Sequence, residues 1–145
     1  MSACQQRKNE LGTLAILQVI IAQSTRKDAN GDWRVPIQAV HQALAEARNK
    51  YPDLLRGVPF SKYSLSPYSP AVESALASLG AAGLVTVENP RFKWLKVAER
   101  DREAFLDNMK KVDPNALNEL KEVIETFDAE VEKYINTSSG VGTVV

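Results

Sequence analysis

The chain holds one histidine, His41, and one cysteine, Cys4, and these two residues narrow the chemistry open to it. A tetrahedral metal site takes about four His, Cys or carboxylate ligands at short spacings. His41 has no second histidine and no nearby cysteine with which to complete such a set. A nucleophilic triad needs a base beside an activated Ser or Cys, and His41 is the sole candidate base, with no motif marking a nucleophile. Cys4 lies in the polar start "MSACQQRKNELG" and cannot form an internal bridge. The glycines are scattered and build no phosphate-cradling loop. No metal, no cofactor and no enzymatic reaction is therefore expected, and His41 reads as a structural residue.

What remains able to act is charge. The net charge is zero but unevenly spread. Residues 1–98 carry 12 Lys and Arg against 7 Asp and Glu, a balance of +5, and residues 99–145 carry 6 against 11, a balance of −5. A mildly basic body fits nucleic-acid binding, because Lys and Arg replace the counterions of phosphate. The sequence pI of about 6.6 argues against a strongly electrostatic binder. The candidate DNA contacts are Lys62, Tyr63, Ser66, Tyr68, Ser69 and Ser74, with Arg91, Lys93 and Lys96 further on; Arg26, Lys27 and Arg34 flank an earlier loop.

These residues need a scaffold, and the pattern supplies one. Leu11, Leu14, Ile16, Leu17, Val19, Ile20 and Ile21 make residues 10–24 a helix that is apolar on most sides, hence central. Asn30-Gly31 marks a turn, and Trp33–Val35 is a short strand. Pro36 suits the first turn of a second helix, whose apolar positions Ile37, Val40, Leu44 and Ala47 share one face. Ser69-Pro70 is a cap followed by proline at the first helical position. The helix it opens points Val72, Leu76 and Leu79 inward and stops at Gly83. Its outward residues are Glu73, Ser74, Ala77 and Ser78, with no Lys or Arg among them. Segments 84–88 and 91–97 alternate as a hairpin around Asn89-Pro90, with Val85, Val87, Phe92 and Trp94 on the buried face. Trp33, Phe92 and Trp94 read as core rather than as a stacking platform. The fold class is mainly α with a small β-hairpin, in the order of a winged helix-turn-helix domain with a C-terminal helical extension.

The run Ser66-Pro67-Tyr68-Ser69, the apolar face after it and the close "AAGLV" resemble the Gly-Pro-Tyr-Ser turn of small bacterial and archaeal winged-helix families, and more distantly the Panacea antitoxin domain. The resemblance covers residues 60–97. Ser66 stands where those families have glycine, so the turn need not match. The resemblance implies the fold and a regulatory role, and it transfers no catalytic residue.

Beyond the hairpin, residues 99–112 form one helix, and Asp113-Pro114 starts another. In the latter Leu117, Leu120, Ile124, Phe127, Val131 and Tyr134 recur at alternating spacings of three and four, the seam of a coiled coil. Such a stripe must be covered, either by the chain's own domain or by a twin. A homodimer through this seam is the favoured expectation. Three segments result: a winged-helix domain at 8–98, a dimerising helical extension at 99–136 and a flexible tail at 137–145. The expected function is a dimeric transcriptional regulator that binds double-stranded DNA. The alternative is a protein-interaction module, antitoxin-like or an adaptor, whose partner is another protein. The apolar run at 14–22 is too short to span a bilayer. No membrane association is expected, and a cytoplasmic location is.

Overall fold

The computed structural model of the chain describes residues 12–62, 65–88 and 94–144, with side chains described as far as Thr137. Among them are six helices and three strands. They run in the order α1 (Thr13–Gln23), β1 (Trp33–Pro36), α2 (Ile37–Lys50), α3 (Pro70–Ala81), β2 (Thr86–Glu88), β3 (Trp94–Val97), α4 (Glu99–Val112), α5 (Pro114–Glu119) and α6 (Lys121–Val144). The sheet is antiparallel with β3 in the middle, between β1 and β2. The mainly helical class with a small hairpin is as expected, and β1 joins the hairpin as a third strand.

Local sequence explains the element ends. The Ser69 side chain accepts from the Val72 N–H and Pro70 fills the next position, so α3 begins there. Gly83 takes a φ of +79°, and its N–H bonds to Gly80 while that of Leu84 bonds to Leu79. That paired closure is the Schellman stop, which favours glycine because a left-handed residue pays no Cβ penalty only there. Asp113 accepts from the Ala116 N–H with Pro114 behind it and opens α5. The expected single helix from Pro114 is two: Leu120 tightens its bonding to Ala116 and Asn118, and α6 starts afresh at Lys121.

One apolar cluster runs through every helix and the sheet. Ile16, Leu17, Val19, Ile20 and Ile21 of α1 are all buried, and α1 packs on α3, α4 and α6. The strand pairing corrects one expectation. Trp33 stands opposite Val97 and Val35 opposite Leu95, and all four are buried. That register sends the intervening Arg34, Trp94 and Lys96 to the other face. Trp94 is half-buried on the outer face rather than a core residue, and Val87 is exposed at the edge. Phe92 lies outside the described residues.

The C-terminal helices belong to this same core. Leu120, Ile124, Phe127 and Val131 are buried, with Leu117 and Tyr134 packed at the cluster's margin. Alpha6 lies along α2. Four of the residues expected to meet a twin, Leu120, Ile124, Phe127 and Val131, are thus corrected to contacts within the chain's own core, while Leu117 and Tyr134 keep part of their surface exposed. The reason is geometric: α2 offers Ala39, Ala43 and Ala47 as small buried residues, which let a second helix approach closely. The backbone of α6 continues to Val144, through the segment expected as a tail. A helix already nucleated over several turns extends at little expense through weaker formers.

Two polar ties fasten this assembly to the C-terminal end of α1. Arg102 of α4 is 9% exposed. Its Nε donates to the Ile21 carbonyl at 2.9 Å and its two terminal nitrogens donate to Ser24 at 2.5 Å and Gly31 at 3.4 Å. Burial pulls its pKa below the usual guanidinium value, while Glu99, Asp128 and Asp32 pull it back up. From α6, Asp128 accepts from Ser24 Oγ at 2.6 Å and from the Thr25 N–H and Oγ1 at 2.9 and 3.0 Å. Replacing Arg102 with Met would leave the Ile21 and Ser24 carbonyls buried without a donor. Each unmet group costs roughly 1–3 kcal/mol, so the variant should lose about 2–4 kcal/mol in urea unfolding. A loss below about 1 kcal/mol would show that the tie is dispensable.

Candidate nucleic-acid interface

The described candidates among the expected contacts lie on α3, in the loop before it and on the outer face of the sheet. On α3, Ser74, Ala77 and Ser78 are exposed as expected, and so are Gly80 and Ala81. No basic side chain projects from this helix. Its one charged residue, Glu73, points back toward α2, where its Oε2 lies 2.9 Å from His41 Nε2.

His41 is 1% exposed and organises the start of α3. The Ser69 N–H donates to His41 Nδ1 at 3.1 Å. Tyr68 stacks on the imidazole with ring centroids 5.0 Å apart and planes 23° apart. Ser69 is itself fully buried. Its hydroxyl donates to the Pro59 carbonyl at 2.5 Å and accepts from the Val72 N–H at 3.2 Å. Ser69 is therefore corrected from a DNA contact to an internal fastening: a hydroxyl with both partners inside the protein has none left for phosphate. Of the other loop residues, Lys62, Ser66 and Tyr68 are exposed. Tyr63, Arg91 and Lys93 lie outside the described residues.

The cations on the sheet are already engaged. Arg34 Nε bonds Glu88 Oε1 at 2.7 Å across from β1 to β2, and its guanidinium lies 4.4 Å over the Trp94 ring. Lys96 Nζ lies 3.6 Å from Asp32 Oδ2. Both pairs are partly exposed, so salt screens them and each is worth about 0–1 kcal/mol. Each pair sets a carboxylate beside a positive charge on the outer face of the sheet. Lys27 and Lys62 are exposed with no carboxylate partner among the described residues.

Sequence reasoning missed three participants: Glu88 and Asp32, which pair with the sheet cations Arg34 and Lys96, and Glu73 as the partner of His41. No local signal marks them, since the partners stand 32 to 64 residues apart in the chain. Arg26 is half-buried, with its Nε shielded from water and unpartnered among the described residues. Groups of three or more His, Cys, Asp or Glu placed to hold a metal are absent among the described residues, and no described helix is long and apolar enough to cross a membrane.

Removing the Ser69 hydroxyl tests how firmly the start of α3 is held. Ser69→Ala should destabilise the protein by about 1–2 kcal/mol, the range of a lost N-cap, measured by thermal or urea unfolding; an unchanged midpoint would place the hold elsewhere. Comparison with known proteins finds no matching family model, no similar curated protein and no similar solved structure.

Proposed function

We propose that this chain is a winged-helix DNA-binding protein that meets the duplex through its phosphate backbone rather than through base edges. The observation that carries the reading is the order α1-β1-α2-α3-β2-β3 together with a sheet in which β3 lies between β1 and β2. That is the connectivity in which the third helix and the hairpin share one face, and winged-helix domains present this face to DNA. Helix-turn-helix domains read sequence with side chains from the groove-lying helix. Arg and Lys suit guanine, and Asn and Gln suit adenine. Alpha3 exposes none of these four types, so base reading has little to work with. Phosphate contact remains open to Lys27 and Lys62, and in the sequence Arg91 and Lys93 of the expected hairpin add to them. A regulatory role follows from the fold resemblance at Ser66–Ser69 and the "AAGLV" close.

About four phosphate contacts give a shallow salt dependence, with log affinity falling on log salt at a slope near −4. Fluorescence anisotropy with a mixed-sequence duplex should therefore show binding that weakens about two-hundredfold between about 50 and 200 mM salt. Duplexes of unrelated sequence should bind within a few-fold of one another. No binding at the lower salt would remove the reading.

A second reading has one specific observation in its favour. Both described cations on the outer face of the sheet, Arg34 and Lys96, are paired with carboxylates, beside a helix face of Ser74, Ala77 and Ser78. A neutral face of small side chains suits close approach by another protein, as in an antitoxin-like or adaptor module. The ultraviolet absorbance ratio of freshly purified protein separates the two, since only the first reading predicts co-purifying nucleic acid.

A further inference from the structure

The buried imidazole of His41 has a protonation state that its neighbours define. A backbone N–H can only donate, so the nitrogen that receives Ser69, Nδ1, carries no proton. The proton of the neutral ring then sits on Nε2 and is donated to Glu73 Oε2, 2.9 Å away. Both nitrogens are engaged, on a ring that is 1% exposed and lies under Tyr68.

We propose that His41 is a proton-operated latch on the first turn of α3. A second proton has one place to go, Nδ1, and there it turns the acceptor of the Ser69 amide into a donor. Two N–H groups cannot face each other at the 3.1 Å seen here, and a buried ring has no water to take over the bond. Uptake of the proton and release of Ser69 are then one event. Ser69 does not move alone. Its hydroxyl holds Pro59 and the Val72 N–H, and its carbonyl accepts from the Glu73 N–H at 3.1 Å. Breaking the hydrogen bond from the Ser69 N–H to His41 therefore loosens the tie to Pro59 and the start of α3 together.

The groups that face the ring set the direction. From α3 comes the Glu73 carboxylate, which bonds Nε2–H in both protonation states and whose charge favours the cation. From the preceding loop come the Tyr68 ring and the Ser69 amide, and the amide opposes the second proton. No other charged side chain bonds or pairs with His41 among the described residues. The second proton is taken up as the solution becomes more acidic, so acidification is the operating signal. Ser69 opens the helix assigned above to the DNA-facing surface. The link from latch to binding rests on that reading, whereas the latch itself does not.

The test is nuclear magnetic resonance on the free full-length protein from about pH 8 to about pH 5, the range in which histidines ordinarily titrate. The His41 ring signals and the Ser69 amide signal should shift with one shared midpoint. Ser69 amide exchange, corrected for its intrinsic pH dependence, should rise at least about tenfold on the acid side. Glu73→Gln removes the charge that favours the cation and should move both midpoints to lower pH together. A ring that titrates while the Ser69 amide keeps its shift and protection overturns the latch. So does a ring that stays neutral throughout, or a Glu73→Gln protein in which the two midpoints separate. No nucleic acid is present in these samples, so the latch stands or falls whether or not the chain binds DNA.

Discussion

A guanidinium removed from water has to recover its hydrogen bonds inside the protein, and the placing of Arg102 shows how the fold is assembled around that need. Its donors meet the carbonyls of Ile21 and Ser24, which a helix leaves unmet at its C-terminal end. The negative end of the α1 dipole lies at the same place, so charge and hydrogen bonding agree. Asp128 completes the arrangement from the opposite side by taking the Ser24 and Thr25 hydroxyls and the Thr25 N–H. The central helix is thus gripped by α4 and α6 at one end. Its other end is tied by Thr13, whose hydroxyl donates to the Gly57 carbonyl at 2.8 Å. With α1 fixed, α3 and the sheet have a surface to pack on.

That grip changes how the C-terminal third is understood. A helix with a coiled-coil seam would satisfy its apolar stripe equally well on a twin. Here Phe127 and Val131 are fully buried within the chain, and Asp128, between them in sequence, makes a polar connection that a twin would have to reproduce. The acidic balance of residues 99–145 then has an immediate use: Asp128 and Glu99 stand near Arg102 and help keep it charged. Acidic residues farther out, such as Glu122, Glu125 and Glu132, are exposed and give the chain its neutral total rather than any fold contact.

What the sequence makes legible is local. The cap at Ser69-Pro70, the stop at Gly83 and the start at Asp113-Pro114 each depend on residues within one turn, and each stands where its residue types put it. The facing of β3 is ambiguous locally, because Trp94 and Leu95 are both apolar and belong to opposite alternations. Pairing with Val35 decides for Leu95, and that pairing spans sixty residues of chain. The candidate site is less legible than the fold for the same reason. Lys62, Ser66, Tyr68 and Ser74 are exposed as read, but the pairings that discharge Arg34 and Lys96 and the two bonds of His41 join distant segments. Side-chain types alone do not reveal whether a cation is free or a histidine is locked.

Helices α4 to α6 are part of the core and not an appendage to it, and the hold on α1 depends on that. Ending the chain after residue 98 measures this directly, by far-ultraviolet circular dichroism during thermal unfolding. Such a truncation exposes Ile20, Leu17 and the carbonyl end of α1 at once, and no cooperative transition should remain. A truncated protein that unfolds cooperatively, with a midpoint near that of the full chain, would mean that the C-terminal helices are dispensable to the fold.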